Sequence, residues 1–303
     1  MHPFIRRPMF SLPRLRPWLA FLLPCLLAFA ALRADEAQRV VEDAAKFKLE
    51  VKADPALPTL YLVGDSTMKV GTPGQRGWGD DLARFFDPAK INVVNQAIGG
   101  RSSRTYQTEG RWAAVLAALR PGDFVIVQFG HNDASPVNED PPVTSKTRAR
   151  GTLRGVGEDS REVDNILTGK HEIVYSFGWY MRRYVADIRA RQATPIVLSL
   201  VPRNAWKDGH IIRSRPNHYG EWARLVAEST GAAFIDHNEI IARELEKLGP
   251  AQVGPLFADN LHAAPAGALF NARAAVAGLK ALPGAPFAAS FSSEAAEIPA
   301  FAP

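Results

Sequence analysis

The chain has 303 residues, 47% hydrophobic and 22% charged, with a single cysteine; that balance excludes a disordered, collagen-like or disulfide-stapled protein and suits a fold with a core of its own. The formal net charge of +5 would favour an anionic partner if it were spread along the chain. It is not: the full chain carries 36 Lys+Arg against 31 Asp+Glu, the first 34 residues hold five arginines and no acid, and the remainder balances at 31 against 31, which gives no argument for nucleic-acid binding.

Those first residues have the layout of a secretory signal. Arg6, Arg7, Arg14 and Arg16 precede an apolar run from Trp18 to Leu32, small residues stand at Ala28, Ala30, Ala31 and Ala34, and the polar Asp35-Glu36 follows. A membrane-anchoring helix is the alternative, but the run falls short of the roughly 18 to 20 apolar residues of a span and Pro24 interrupts it. A lipid anchor on Cys25 is disfavoured by the same proline, which replaces the small residue expected before it. Cleavage near residue 34 would leave a periplasmic or secreted chain without cysteine and without stable membrane association, stabilised by its own core. A thiol nucleophile and a cysteine zinc site are then excluded, and serine becomes the natural nucleophile.

In chain order, residues 35–58 read as a charged, alanine-rich linker. Thr59–Val63 is a first strand, and it breaks at Gly64-Asp65-Ser66, where open α/β sheets place their chemistry. Apolar residues at helical spacing fill Trp78–Phe86, and Ile91–Asn95 is a second strand running into Gly99-Gly100, a turn that lets backbone N–H groups face a site or simply closes a tight loop. A helix over Trp112–Leu119 leads to the apolar strand Phe124–Phe129 and to Gly130-His131-Asn132-Asp133. Residues 134–177 follow as a long insertion, a functional loop or an inserted subdomain, without chemistry of its own to read. Next come a helix over Trp179–Gln192, a strand over Pro195–Val201, a helix over Tyr219–Thr230, a strand over Ala233–Asp236, a helix to Leu248 capped by Asn238, and a helix over Pro265–Leu282. The tail 283–303, rich in Pro, Ala and Ser, is expected to be flexible. Alternating strands and helices predict an α/β fold, three layers with a five-stranded parallel sheet covered on both faces.

A serine nucleophile needs a base and an orienting carboxylate. Asp259 and His262 stand three apart on a turn before the last helix, a spacing that lets the carboxylate accept from one ring nitrogen while the other points to Ser66. A lone D-x-x-H is more often a solvated loop or a cap; a candidate serine on a matching scaffold raises its weight. His131 competes as base, but its place beside Asn132 at a strand end suits orientation of that loop. Arg101, Arg104 and Arg111 could meet carboxylates of a substrate or pair with acids of the protein, and Trp78, Tyr106, Trp206 and Tyr219 could stack on sugars or fill the core.

Gly64-Asp65-Ser66, Gly100 within Asn95–Ser102, Gly130-His131-Asn132-Asp133 and Asp259-x-x-His262 resemble, in order and spacing, the four blocks of the SGNH (GDSL-type) hydrolases. The extended forms G-D-S-T-M, N-x-A-x-G-G-R-S, F-G-H-N-D and P-A-G-A are similar to the rhamnogalacturonan acetylesterase branch, over about Thr59 to Leu282. The G-x-S-x-G elbow of the α/β-hydrolases is absent around Ser66. The resemblance implies a flavodoxin-like fold and a monomeric enzyme with Ser66 as nucleophile, His262 as base and Asp259 orienting it. The N–H groups of Ser66 and Gly100 and the Asn132 amide would form an oxyanion hole, with Arg101 and His131 as substrate contacts and no metal or cofactor. It implies deacetylation of a plant cell-wall polysaccharide, rhamnogalacturonan first. Acetylated xylan, a bacterial envelope glycan, a lipid or thioester, and an inactive carbohydrate-binding protein are the other readings. Two departures bear on substrate: Asn260 and Ala263 replace a histidine and a threonine common around the catalytic histidine in that branch, and the 134–177 insertion is longer than in its shortest members.

Overall fold

The computed structural model describes residues 53–214 and 217–302; the signal-like segment, Cys25 and most of the 35–58 linker lie outside the described residues. Among the described residues nine strands are formed: β1 (Thr59–Gly64), β2 (Asn92–Asn95), β3 (Phe124–Gln128), β4 (Ser160–Asp164), β5 (His171–Tyr175), β6 (Thr194–Leu198), β7 (Trp206–Lys207), β8 (His210–Ile211) and β9 (Ala233–Ile235). The helices are α1 (Gly79–Leu82, continued by a 3-10 turn over Ala83–Phe85), α2 (Ser103–Thr108), α3 (Arg111–Ala118), α4 (Phe177–Ala190), α5 (Tyr219–Thr230), α6 (His237–Leu248), α7 (Pro250–Val253), α8 (Pro265–Lys280) and α9 (Ser293–Ala296).

The central sheet has the order β2-β1-β3-β6-β9 with every pairing parallel. Side chains alternate across it. Leu60, Leu62, Ile126, Ile196 and Leu198 pack on one face beneath α1, α6 and α8, while Tyr61, Val63, Val125, Val127 and Val197 pack on the other beneath α3, α4 and α5. β1 is therefore buried along its whole length, which explains its continuous apolar run. The result is the expected three-layer α/β/α architecture with five parallel strands. No helix among the described residues is long and apolar enough to cross a membrane.

Buried polar side chains fasten the two halves of the sheet. Trp78 Nε1 donates to Gln128 Oε1 at 2.9 Å, and Gln128 Nε2 donates to the Ser199 carbonyl at 2.7 Å and meets His237 Nδ1 at 3.0 Å. His237 Nε2 lies 2.9 Å from the Asn271 carbonyl, which can only accept, so the proton sits on Nε2 and Nδ1 accepts from Gln128. Burial pushes the His237 pKa down to about 4, consistent with a neutral ring in a satisfied network.

Two expectations change. Asn238 does not cap α6: Asp236 does, accepting from Glu239 N at 3.2 Å, while Asn238 accepts from Ser214 N and donates to the Leu200 carbonyl. The segment after α8, expected to be flexible, is packed through residue 302. Phe287 is buried against Phe86 and Phe124, with ring centroids 5.7 and 4.6 Å away, and Lys280 Nζ donates to the carbonyls of Ala295 and Ile298. The Pro, Ala and Ser content that suggested flexibility conceals three anchors, Phe287, Ala295 and Ile298. The insertion also has structure of its own, the antiparallel hairpin β4–β5. It is bolted to α2 by Arg104, a fully buried guanidinium bonded to Glu172 at 3.0 Å and to the carbonyls of Val137 and Gly151 at 3.0 and 2.8 Å.

Candidate active site

β2 and β3 flank β1, and parallel strands open their C-terminal ends on one edge. The chain leaves β1 for a neighbour on one side and later for a neighbour on the other, so a crevice opens above β1. Ser66 lies just past β1, Gly100 past β2 and Asn132 past β3, and all three line one open depression of about 590 Å³ together with Arg150 and His262.

Local hydrogen bonds hold Ser66 in place. The buried Asp65 carboxylate accepts from Thr67 N at 2.9 Å and Thr67 Oγ1 at 2.8 Å, and its carbonyl accepts from Met68 N and Lys69 N, a tight turn that leaves the serine hydroxyl free of the backbone. Gly64 has no room for a side chain, since a Cβ there would stand 2.9 Å from the Gln128 carbonyl of the neighbouring strand.

Ser66 Oγ lies 2.9 Å from His262 Nε2, and His262 Nδ1 lies 2.7 Å from Asp259 Oδ2. A carboxylate accepts, so Nδ1 carries the ring proton and Nε2 offers its lone pair to the serine hydroxyl. Asp259 is fixed in turn: its Oδ1 accepts from the backbone of Leu261 and His262, each at 2.7 Å, and Oδ2 from Gln75 Nε2 at 3.3 Å. Burial alone would raise the Asp259 carboxyl; the bonds from the His262 ring and from the His262 and Leu261 backbone outweigh it and hold the pKa down at about 2. The D-x-x-H spacing works because one carboxylate both closes the turn and receives the ring.

The glycine turn after β2 comes against the serine. A Cβ on Gly99 would sit 3.5 Å from Ser66 Cβ, and Gly100 has φ +81, a left-handed conformation that favours glycine. Asn132 Nδ2 donates to the Arg101 carbonyl at 2.9 Å. That carbonyl can only accept, so the amide is oriented with its NH₂ towards the Gly100–Arg101 loop, and its second hydrogen remains for another acceptor. Beneath Asn132, the buried Asp133 carboxylate takes the Ser103 backbone N–H at 3.1 Å and the Ser103 hydroxyl, tying this loop to the start of α2. Burial pushes the Asp133 carboxyl up to about 7, against the Ser103 bonds that favour its charge.

The remaining candidates fall elsewhere. His131 faces a separate cavity of about 270 Å³; its buried Nε2 has no hydrogen-bond partner among the described residues, and desolvation pushes its pKa down to about 4. Arg101 donates to Glu109 at 2.9 Å and to the Gly99 carbonyl at 3.0 Å, Arg111 pairs with Glu109 at 2.8 Å, and Arg104 is the insertion's anchor. Trp78, Tyr106 and Tyr219 are buried, and Trp206 bonds its own loop through Asn204, so none of the four lines the depression at Ser66. Sequence reasoning missed Arg150, whose Nη1 donates to the Gly100 carbonyl at 3.0 Å, and Gln75 behind Asp259. Both lie in loops without periodicity, where no local signal marks them.

Residues 62–269 match the model of the GDSL-like Lipase/Acylhydrolase family. The rhamnogalacturonan acetylesterase of Emericella nidulans is 34% identical over 199 residues, covering 66% of this chain and 75% of that protein. A probable rhamnogalacturonan acetylesterase of Bacillus subtilis, YesY, is 31% identical over 171 residues, 56% of this chain and 65% of the relative. Among solved structures, the YxiM protein of Bacillus subtilis superposes with a TM-score of 0.58 at 26% identity, over 74% of this chain and 56% of that one. With its family blocks gathered at one sheet edge, the chain belongs to the GDSL-like lipase/acylhydrolase family.

Proposed function

We propose that the protein is an exported serine acetylesterase that removes O-acetyl groups from a plant cell-wall polysaccharide, rhamnogalacturonan first. The observation that carries this reading is the unbroken chain from Ser66 Oγ through His262 to Asp259, with links of 2.9 and 2.7 Å, at the floor of an open depression. Ser66 Oγ attacks the acetyl carbonyl while its proton passes to His262 Nε2, and the ionised Asp259 stabilises the imidazolium. The backbone N–H groups of Ser66 and Gly100 and the uncommitted Asn132 hydrogen receive the oxyanion. His262 then protonates the departing sugar oxygen, and water activated by the same ring releases acetate from Ser66.

The site suits an acetyl group on a polar polymer. Thr72, Gln75, Asn132 and Arg150 put polar groups around the serine, with Val70 and Ile98 as its apolar walls. The two relatives named as a rhamnogalacturonan acetylesterase and a probable one support a pectic substrate. Export rests on the arginine-led apolar run at residues 1–34.

The test is acetate release by the wild type and Ser66→Ala from acetylated rhamnogalacturonan, acetylated xylan, and a short and a long p-nitrophenyl ester. Release by the wild type alone, fastest from the pectic polymer, is expected. Rapid cleavage of the long ester with no action on either polysaccharide would move the protein to lipid substrates, and equal behaviour of wild type and variant would remove Ser66 from the chemistry.

A further inference from the structure

A second depression, of about 640 Å³, adjoins the one at Ser66, and the two share Gly100 and Arg150 as a common wall. Its far side is built by the insertion, which contributes Arg148, Lys170, Leu167 and Ile173. The acids of this trough are already engaged. Glu109 binds Arg101 and Arg111, and Glu172 binds Arg104. Three cations are not neutralised. Arg148 donates to the carbonyls of Ser145 and Thr147, Arg150 to the Ser135 hydroxyl and the Gly100 carbonyl, and the Lys170 ammonium has no partner; none of the three has a carboxylate at ion-pair distance among the described residues.

Elsewhere the pattern is mixed: Arg76, Arg84, Arg182, Arg213, Arg224 and Arg243 each pair with Asp or Glu, whereas Arg120, Arg154 and Arg189 donate to backbone carbonyls as the trough arginines do. The trough is distinguished by gathering three cations without a carboxylate partner in one depression next to Ser66. Burial, and next to it the Arg148 charge, push the Arg150 pKa down, against the opposing pull of Asp65 and Asp133. Leu167 and Ile173 are about half exposed on the same wall, an apolar surface suited to the C–H face of a sugar ring.

Resting on the reading of Ser66 as the centre of a glycan acetylesterase, we propose that this trough binds the uronate carboxylates of an acidic glycan. Arg148, Arg150 and Lys170 supply the charge, Leu167 and Ile173 the ring contacts, and the insertion thereby selects polyuronates over neutral glycans. A chain lying in the trough would pass Arg150 and present its neighbouring residue to Ser66.

Binding separates this inference from turnover. Calorimetry with the full chain carrying Ser66→Ala, using unacetylated rhamnogalacturonan oligosaccharides and neutral xylo-oligosaccharides, should show binding of the acidic probe only, weakening as sodium chloride is raised. Adding Arg148→Gln and Lys170→Gln should weaken it about tenfold, as expected for two partly exposed charge pairs. The swap Arg148→Lys with Lys170→Arg should retain most of it. Equal affinity of the Gln double variant, or equal binding of the neutral probe, overturns the inference. If the acidic probe binds through these cations while the wild type releases acetate from no glycan, the esterase reading fails and the trough stands. If the Gln double variant deacetylates the pectic polymer with an unchanged KM, the trough fails and the esterase reading stands.

Discussion

The proposed oxyanion role of Asn132 adds a second task to the bond it makes with Arg101, and its substitution should separate the two. One amide hydrogen holds the Arg101 carbonyl and the other is available to an oxyanion. Asn132→Ala should lower kcat by about 10²- to 10³-fold with KM little changed, because the lost donor acts in the transition state. Loss of the bond to Arg101 should cost about 1 kcal/mol of stability, visible as a small fall in melting temperature. An unchanged kcat would remove this residue from the hole. Asp259 gives a second prediction. Its folded pKa of about 2 lies below the unfolded value of 3.8, so its contribution to stability is complete above about pH 4 and is lost as pH falls through 2. Asp259→Asn should flatten that acid limb in thermal unfolding and should lower kcat by about 10⁴-fold, since an amide NH₂ facing Nδ1 favours the wrong tautomer. At this scale the sequence was legible as to placement: Ser66, His262 and Asp259, picked out by residue type, are hydrogen-bonded in series, and Asn132 lines the same depression. Arg150 was not legible, because its importance comes from folding the insertion back onto Gly100, a contact across 50 positions.

Among the elements, α8 shows how packing serves the site. It begins just after His262, and Gly267 in its first turn lies so close to the preceding loop that a Cβ would stand 2.0 Å from the Leu256 carbonyl. Gly267→Ala should therefore push α8 off that loop, costing about 1–3 kcal/mol by overpacking and lowering kcat through displacement of His262. Urea unfolding with kinetics on a short ester measures both; no change in either would mean the helix has slack. The parallel strands could be read from their apolar runs because both faces are covered. β4 and β5 could not: their residues are largely exposed, Val163 and Val174 being the buried exceptions, so polar content concealed the hairpin. The cap of α6 went to Asp236 because Asn238 is spent on Ser214 and Leu200, a tertiary demand that local propensity does not contain.

On the scale of the molecule, the candidate site and the Phe287 anchor lie at opposite ends of the parallel strands. Ser66, Gly100 and Asn132 stand beyond the strand ends, whereas Phe287 packs on Phe124 at the start of β3. Phe287→Ala should cost about 3–5 kcal/mol in urea unfolding while kcat and KM at a permissive temperature stay at wild-type values. A large kinetic change would show that the two ends are coupled. The His237 network adds a pH dependence. Its folded pKa of about 4 lies below the unfolded 6.5, so its contribution to stability is full above about pH 6.5 and declines as pH falls towards 4. The fall in melting temperature over that window should shrink in His237→Leu, whose baseline stability is lower; an undiminished fall would assign it to other groups.

The Arg104 anchor has a consequence for how such proteins diversify. Its guanidinium belongs to α2, which follows directly on the Gly100 turn, yet its bonds reach Val137, Gly151 and Glu172 across the insertion. An insertion transplanted from a relative without an acid at the Glu172 position would strand a buried charge, at about 3–5 kcal/mol. A transplanted insertion should therefore seat on α2 only where Arg104 and Glu172 are kept together.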